Sequence, residues 1–260
     1  MDATSIFRAV RHAPLLERAD PLWDAARPAY DRFLRVLFGR RGITVRVGGD
    51  ERIRVDPSCR WYEWHGDEFW HELMASVRPG DRFADVGSNI GTYAIAAARR
   101  GAQVTAFEPN PPVANQLRRN VVLNRVADRV TVYELAVARR AGTVRLREEG
   151  PGGCMTTVDE AGEIIVEAAP LEGRFDLVKI DVEGAELEVL AGARPILEPS
   201  HRPRSIYIEV HLDRVDPAEL PSFLPWYELR RVAVRARTEH WIATATTSDA
   251  GDDQPHVSES

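Results

Sequence analysis

Four side chains that can carry protons or bind metals lie at the ends of two apolar segments. Asp181 and Glu183 follow the first segment, and Glu209 and His211 end the second. Glu209 and His211 are two residues apart, so on a strand their side chains point to the same face. If the segments are parallel neighbours in a sheet, all four side chains gather at its carboxyl edge, where open α/β sheets bind ligands. Lys179, inside the first segment, needs a carboxylate partner or a hydrated pocket.

A second set of residues is typical of nucleoside binding. An apolar run ending near Asp85 leads into Gly87 and Gly91, which allow a tight turn before an alanine-rich helix. About twenty residues later, Glu108 ends the next predicted strand, where it can accept both hydroxyls of a ribose. The predicted cofactor-binding residues are Asp85, Gly87, Ser88, Asn89, Gly91, Glu108, Asn110, Ala136 and Asp181.

The glycine pattern distinguishes between two kinds of cofactor. A dinucleotide fold uses G-x-G-x-x-G to hold a pyrophosphate against a helix N-terminus, but Ser88 and Asn89 stand here where a second close glycine would be. Asp85 would repel an anionic ligand and suits the ammonium and sulfonium of S-adenosylmethionine. Ala136, at the end of the third predicted strand, is small enough for an adenine ring to lie along it. We therefore predict S-adenosylmethionine as the cofactor.

Two other function classes are compatible with this pattern. A nicotinamide-dependent oxidoreductase would bind NAD(P), although the third glycine and a phosphate cradle are missing. A non-catalytic protein could bind a nucleoside or another small ligand without turning over an acceptor. For the glycine motif alone, an ordinary βαβ unit with a capped turn is a further alternative.

Composition limits the partners. The chain has 260 residues, 44% of them hydrophobic, and a formal net charge of −6, which argues against a nucleic-acid partner. Arginine greatly outnumbers lysine, so local basic patches are still compatible with this charge. No apolar run is long enough to span a bilayer, and the N-terminus lacks the apolar core of a signal peptide. The two cysteines have no metal-binding spacing. We expect a cytoplasmic protein that has neither a nucleic-acid nor a membrane partner.

Periodicity predicts an extension, a catalytic domain and a tail. Residues 1–40 have apolar residues at helical spacing, which predicts two helices broken near Pro21. A hairpin and a further helix complete an N-terminal extension over residues 1–78, which could form a lid or the contact of a homo-oligomer. Residues 79–247 form one α/β domain. The acidic, polar residues 248–260 are expected to be disordered.

Together these segments resemble the FkbM-type methyltransferases over roughly residues 79–211. The matching blocks are Asp85-Val-Gly-Ser-Asn-Ile-Gly91, Ala106-Phe-Glu-Pro-Asn110, Leu117 with Asn120 and Leu123-Asn124, Asp176-Leu-Val-Lys-Ile-Asp-Val-Glu-Gly-Ala-Glu186, and the strand containing Glu209. The family commonly has alanine where this chain has Ser88. The resemblance implies an α/β, Rossmann-like class I methyltransferase fold: a mostly parallel seven-stranded sheet with helices on both faces.

The resemblance also implies S-adenosylmethionine-dependent O-methylation, often in natural-product or antibiotic biosynthesis. The expected acceptor is a small hydroxylated metabolite, with a sugar or cyclitol moiety as the first candidate. Such a hydroxyl is a poor nucleophile until it loses its proton.

Two routes can remove that proton. In one, His211 is the general base and Asp181 or Glu209 orients it, with Lys179 as a further catalytic candidate. In the other, Asp181, Glu209 and His211 hold Mg²⁺, which lowers the pKa of the acceptor hydroxyl.

Overall fold

The structure, a computed structural model, describes residues 29, 32–34, 36–49, 51–59, 66–149, 155–200 and 202–246. Residues 32–34 and 36–38 are helical, but most of the two helices predicted before residue 40 lie outside the described residues, as does the predicted tail of residues 248–260. The proposed lid or homo-oligomer contact therefore stays a prediction. No described helix combines the length and the apolar composition needed to cross a membrane.

Strands and helices alternate over residues 68–133 and again over residues 177–234, as they do in α/β proteins. The strands are β1 (Ile43–Arg46), β2 (Arg52–Val55), β3 (Arg82–Val86), β4 (Gln103–Phe107), β5 (Val130–Tyr133), β6 (Ala136–Val137), β7 (Gly142–Glu149), β8 (Met155–Val158), β9 (Ile164–Ala169), β10 (Leu177–Ile180), β11 (Ser205–His211), β12 (Tyr227–Val234) and β13 (Thr238–Ala245). The α-helices are α1 (Glu68–Ser76), α2 (Thr92–Arg99), α3 (Pro111–Leu123), α4 (Glu186–Ala193) and α5 (Leu220–Phe223). Short 3₁₀ helices cover Pro57–Cys59, Arg194–Ile196 and Pro217–Glu219.

The central sheet has seven strands in the order β12-β13-β11-β10-β3-β4-β5. β13 runs antiparallel to β11 and β12, and all other neighbours are parallel. Apolar clusters cover both faces: Phe83 of β3 joins the cluster of α1, α2 and α3, whereas the next residue, Ala84, joins that of α4 and α5. These features confirm the predicted sheet. Because the strand order reverses between β3 and β10, their carboxyl ends border a ligand-binding crevice.

The hairpin of β1 and β2 and the helix α1 share the core of the catalytic domain. Val45, Ile53 and Phe69 are buried in one cluster with Phe83 and Ile95. In the hairpin, alternate side chains point into this cluster, as expected for strands with one buried face. The β1–β2 hairpin and α1 are therefore packed directly on the sheet and its helices.

Two asparagines of the family-like motif attach β2 to α3. Asn124, which follows α3, accepts the backbone N–H of Arg54 at 2.9 Å and donates to its carbonyl at 2.6 Å, as a neighbouring strand would. Asn120 accepts the backbone N–H of Asp56 at 2.6 Å and donates to the carbonyl of Ile90 at 2.8 Å. Both asparagines are buried, so these bonds satisfy groups that water cannot reach. Their role is to fix the hairpin against the turn before α2.

A second sheet of four strands, in the order β6-β9-β7-β8, is inserted between β5 and β10. The predicted seven-stranded architecture does not include it. Ala136, predicted at the end of a strand of the central sheet, belongs instead to β6 and pairs with Ala168 of β9. The reason is that the chain leaves the central sheet after Tyr133. The connection between β7 and β8, residues 150–154, lies outside the described residues.

Gly87 is a position where a side chain cannot be added without moving the backbone. Its φ is 77°, and a Cβ built on it would lie 1.8 Å from the carbonyl oxygen of Asp181. Gly80 has a φ of 87° but no atom within 4 Å of such a Cβ. We expect Gly80→Ala to lower the free energy of unfolding by about 1 to 2 kcal/mol and Gly87→Ala by more than about 4 kcal/mol, measured by urea denaturation. Equal losses of stability in the two variants would contradict the close contact of Gly87 with the backbone of Asp181.

Candidate active site

An open cleft lies at the carboxyl ends of β3, β4 and β10. Its walls are mostly apolar, and they carry three carboxylates. Of the predicted cofactor-binding residues, the cleft is lined by Gly87, Asn89, Glu108, Ala136 and Asp181. The remaining four, Asp85, Ser88, Gly91 and Asn110, do not line it.

Glu108 is the buried carboxylate of the cleft. Its Oε2 accepts the backbone N–H of Asn89 at 2.8 Å, and its Oε1 accepts that of Asn110 at 2.9 Å. Each oxygen keeps another lone pair for a hydroxyl donor. Burial raises the pKa of Glu108 to about 7, although the two N–H donors favour the charged form. Glu108 lies directly after β4, the position from which we predict a ribose contact.

The turn between β3 and α2 contains the glycine motif. Gly87 and Ser88 donate their backbone N–H groups to the carbonyl of Phe107 at 3.0 and 2.9 Å, which bonds the turn to β4. The hydroxyl of Ser88 donates to the carbonyl of Asp85 at 2.6 Å. Ser88 therefore shapes the turn from inside, and the predicted cofactor contacts from this segment are left to Gly87 and Asn89.

Asn110 connects the end of β4 to the inserted sheet. It occupies the N-cap position of α3, but its side chain does not cap the helix. Instead it donates to Glu148 Oε1 at 2.9 Å and to Thr156 Oγ1 at 3.1 Å. Thr156 lines the cleft, and the backbone of Asn110 binds Glu108. The buried side chain of Asn110 thus connects two walls of the cleft. It does not line the cleft, so its position does not support the predicted direct contact with a cofactor.

Lys179 is the only lysine of the chain, and it is buried. Its Nζ lies 3.5 Å from Asp85 Oδ1 and 3.1 Å from Asp181 Oδ2, and it donates to the carbonyl of Gly87 at 3.3 Å. Burial opposes the charged form, but Asp181 and Asp85 outweigh it and raise the pKa of Lys179 above its usual value. A lysine that keeps its proton cannot act as a base. Lys179 therefore forms a buried ion pair with the two aspartates, and its catalytic role stays a prediction.

Asp85 is fully buried beside this ammonium group. Burial raises the pKa of its carboxyl, and the charge of Lys179 counteracts the rise only in part. Because Asp85 faces Lys179 and does not line the cleft, the predicted contact with a cofactor ammonium does not match its position.

Asp181, Glu183 and His211 bring possible metal-ligand atoms within 4.8 Å of one another. His211 Nε2 lies 3.1 Å from Glu183 Oε2, and its Nδ1 lies 2.8 Å from Oε1 of the buried Glu186. Burial disfavours a charged His211, but the hydrogen bonds to Glu183 and Glu186 outweigh it and raise the pKa of His211 to about 10. His211 is therefore an imidazolium at neutral pH, and it can act as a base only after losing a firmly held proton.

Glu209 does not belong to this group. Its Oε2 lies 3.3 Å from Nε2 of the buried His240, whose Nδ1 lies 3.1 Å from Asp67 Oδ2. Burial disfavours a charged His240, but hydrogen bonds and charges from Asp67 and Glu209 raise the pKa of His240 to about 9. The ligand set that the geometry offers has Glu183 in place of the predicted Glu209, because His240 on the neighbouring β13 holds Glu209.

Sequence reasoning missed two partners of these histidines. Glu186 opens α4, a position that by itself indicates only a favourable charge at a helix N-terminus, yet it is fully buried against His211. His240 lies on the last strand, directly opposite Glu209 in the antiparallel register of β11 and β13. The antiparallel final hairpin is predictable, so the register of this pairing is the signal that could have identified His240.

His211 makes the stability of the fold depend on pH. A proton held with a pKa of about 10, above the unfolded value of 6.5, stabilises the fold fully below about pH 6.5, and this contribution is lost as the pH rises towards 10. In this window the free energy of unfolding of the wild type should fall with rising pH. The fall should be up to about 1.4 kcal/mol per pH unit steeper than that of His211→Asn. Urea denaturation at several pH values measures the slope, with the exposed His71→Asn as control. Equal slopes for wild type and His211→Asn would contradict a His211 proton that Glu183 and Glu186 hold in the folded state.

Comparison with known proteins places these features in a family. Residues 85–233, more than half of the chain, match the model of the methyltransferase FkbM domain. Hexuronic acid methyltransferase AglP from Haloferax volcanii is 31% identical over 163 residues, which cover 58% of this chain and 64% of AglP, less than two thirds of its length. The 31-O-demethyl-FK506 methyltransferase FkbM from Streptomyces tacrolimicus is 33% identical over 195 residues, covering 58% of this chain and 70% of that protein.

Among solved structures, a ribosomal protein L11 methylase from Lactobacillus delbrueckii subsp. bulgaricus aligns with a TM-score of 0.47 and 18% identity, covering 76% of this chain and 86% of that one. The family match includes the glycine turn, Glu108 and the strands that carry Asp181 and His211. The chain belongs to the FkbM family of S-adenosylmethionine-dependent methyltransferases.

Proposed function

We propose that this protein transfers a methyl group from S-adenosylmethionine to a hydroxyl oxygen of a small, neutral, polyhydroxylated metabolite. A sugar or cyclitol ring of a natural-product intermediate is the first candidate. The observation that carries the proposal is the cleft itself, in which the buried carboxylate of Glu108 and the acidic pair of Asp181 and Glu183 line one cavity.

The residues of the cleft fit the methyl donor. Glu108 offers oxygens that two backbone N–H groups already orient, a suitable acceptor for the two hydroxyls of a ribose. Phe107, Leu135, Ala136 and Val137 provide apolar surface on which an adenine ring can pack. When bound, the donor supplies an electrophilic methyl group on a sulfonium. The protein must align the acceptor oxygen with that methyl group and exclude water.

The charge of the cleft supports a neutral acceptor. Among the described residues, its lining contains three carboxylates and no arginine, lysine or histidine. Carboxylates accept hydrogen bonds from hydroxyl groups but repel phosphates and acids. This favours a polyol or an uncharged sugar and disfavours a polyphosphate backbone. The name of AglP refers to a hexuronic acid, so we infer a different acceptor for the present protein.

The loops that carry the acidic residues are conformationally restricted. Asn89 and Glu183, which both line the cleft, have positive φ values of 50° and 55° although neither is glycine. Such backbone costs about 1 to 3 kcal/mol and is found at functional sites. Glu183 is further fixed by His211, which holds its carboxylate at the cleft. These constraints support Glu183 as the group that accepts the proton or hydrogen bond of the acceptor hydroxyl.

The proposal also includes a Mg²⁺ ion bound by the acidic residues of the cleft. Asp181 and Glu183 offer the oxygen ligands that Mg²⁺ prefers, and a cation held by them would lower the pKa of an acceptor hydroxyl. His211 can join as a ligand only as neutral imidazole, so its raised pKa opposes this role at neutral pH. Without a metal, Glu183 would accept the hydrogen bond or proton of the hydroxyl directly, with His211 holding its carboxylate in place.

The pKa of Glu108 gives a test of the cofactor site. Its charge, which strengthens hydrogen bonds from a ribose, develops as the pH rises through about 7. We therefore expect affinity for S-adenosylhomocysteine to increase roughly tenfold from about pH 6 to about pH 8. Isothermal titration calorimetry should show weaker, nearly pH-independent binding for Glu108→Gln and wild-type behaviour for the exposed Glu134→Gln. Wild-type binding that does not change with pH would argue against this contact.

Glu183 gives a test of the acceptor side. Glu183→Gln should lower the rate of methyl transfer by roughly a hundredfold or more, because it removes the group that accepts the hydroxyl proton. It should leave S-adenosylhomocysteine binding within about twofold of wild type, because it removes no contact with the cofactor. Glu188→Gln is a matched control, since Glu188 is an exposed residue of α4 paired with Arg139. Near-wild-type turnover by Glu183→Gln would remove this residue from the chemistry.

The acceptor and the metal can be tested in one screen. Purified protein is incubated with isotope-labelled S-adenosylmethionine and a panel of neutral sugars, cyclitols and uronic acids, with and without Mg²⁺ and EDTA. We expect label in neutral polyols, lost in EDTA and restored by Mg²⁺. Methyl transfer that is unaffected by EDTA would exclude a metal requirement but would still support methyltransferase activity. Transfer only to uronic acids, protein or tRNA would overturn the proposed acceptor class, and co-purified NAD(P) would contradict the cofactor.

A further inference from the structure

Glu186, the first residue of α4, is a carboxylate with no exposed surface. It does not line the cleft, and the chemistry proposed above does not use it. Burying a carboxylate is costly unless its oxygens are bonded. In the part of the chain that the structure describes, Oε1 has two partners, whereas Oε2 is buried without a hydrogen-bond partner. An apolar residue of similar volume would avoid this cost, so the carboxylate points to a role beyond stability.

The first partner of Oε1 is His211, whose Nδ1 lies 2.8 Å away. The other ring nitrogen of His211, Nε2, lies 3.1 Å from Oε2 of Glu183. The imidazole ring is rigid, so a carboxylate that fixes Nδ1 also fixes the direction in which Nε2 points. Through His211, Glu186 therefore sets where the side chain of Glu183 is held.

The second partner of Oε1 is the backbone N–H of Gly184, which donates to it at 2.9 Å. Gly184 directly follows Glu183, and the φ values of these residues are 100° and 55°. For Glu183, which has a Cβ, such a conformation is unfavourable and persists only where the surrounding structure holds it. The bond from Gly184 to Glu186 holds the backbone at the residue next to this strained position.

We propose that Glu186 is a positioning residue for Glu183. One oxygen of Glu186 holds the side chain of Glu183 through His211 and its backbone through Gly184. The inference rests on the proposed function, in which Glu183 accepts the hydrogen bond or proton of the acceptor hydroxyl. A displacement of about 1 Å in a reacting group can lower a rate by about a hundredfold. The rate of methyl transfer should therefore depend on Glu186 although this residue does not line the cleft.

A purely structural role for Glu186 is the alternative. A negative charge is favourable at the N-terminus of a helix, and Glu188 supplies a second one in the first turn of α4. In that role the charge at position 186 matters, whereas the place of a single oxygen does not. The two roles therefore predict opposite results for substitutions that keep the charge and for those that keep the oxygen.

Two substitutions of Glu186 separate these properties. Glu186→Gln keeps the length of the side chain, and its amide oxygen can accept both bonds. Glu186→Asp keeps the charge but withdraws the oxygens by one methylene group. We expect Glu186→Gln to keep kcat within about threefold of wild type and Glu186→Asp to lower it roughly tenfold to a hundredfold.

The rates are measured with isotope-labelled S-adenosylmethionine and the neutral polyol of the panel above that the wild type methylates fastest. The KM for S-adenosylmethionine should not change in either variant. Glu188→Asp is the matched control in the same helix turn, because Glu188 is exposed and pairs with Arg139, and it should behave like wild type. A kcat of Glu186→Asp equal to that of wild type, or below wild type in Glu186→Gln only, would overturn the proposal.

The double variant Glu183→Gln/Glu186→Asp tests whether Glu186 acts through Glu183. We expect it to turn over like Glu183→Gln alone, because the second substitution then displaces a group that is already absent. A further loss of rate in this background would indicate a structural role and overturn the proposal. Wild-type turnover by Glu183→Gln would instead refute the proposed role of Glu183, and this inference with it.

Crystal structures of complexes with S-adenosylhomocysteine provide a measurement that needs no acceptor. In wild type and in Glu188→Asp, the carboxylate of Glu183 should bond to His211, as it does here. In Glu186→Asp we expect this carboxylate to move by about 1 Å or more. Affinity for S-adenosylhomocysteine within about twofold of wild type would exclude misfolding as the cause. An unchanged position of Glu183 in Glu186→Asp would overturn the proposal.

Discussion

The ion pair between a buried lysine and two strand ends is the interaction on which the cleft depends. Lys179 on β10 binds Asp85 on β3 and Asp181 directly after β10, where the strand order reverses. A buried charge is tolerated only when it is paired, and removing one partner leaves the others uncompensated. The ammonium also binds the carbonyl of Gly87, so one group fixes both loops that border the cleft. The chain uses arginine everywhere else, but the compact ammonium of lysine suits this small buried site.

Two carboxylate–imidazolium–carboxylate bridges lie beside this ion pair. His211 joins Glu183 to Glu186, and His240 joins Glu209 to Asp67, the N-cap of α1. In each bridge a buried histidine carries a positive charge because two carboxylates hold it. Each imidazolium places a positive charge between two carboxylates and so reduces the repulsion between them. The same arrangement leaves Asp181 and Glu183 oriented towards the cleft.

The sequence could predict elements more readily than side-chain partners. The run before Gly87, the acidic end of β4 and the alternation in β11 have local signals, and the predicted sheet followed from them. His240 and Glu186 pair with residues that are distant in sequence, and only the register of β13 and the start of α4 bring them there. Lys179 was expected to need a carboxylate partner, and it has two. Its burial depends on packing that no local pattern indicates.

The inserted sheet could not be predicted for a similar reason, because its four strands belong together only through pairing across connections. Its attachment through Asn110 has a mechanical consequence. Glu148 of β7 and Thr156 of β8 accept hydrogen bonds from the side chain of Asn110, and the backbone N–H of Asn110 orients Glu108. A shift of β7 and β8 must break these bonds or move the carboxylate of Glu108 as well. The two walls of the cleft are therefore coupled. A bulky acceptor that displaced β7 and β8 would also displace Asn110 and the carboxylate of Glu108.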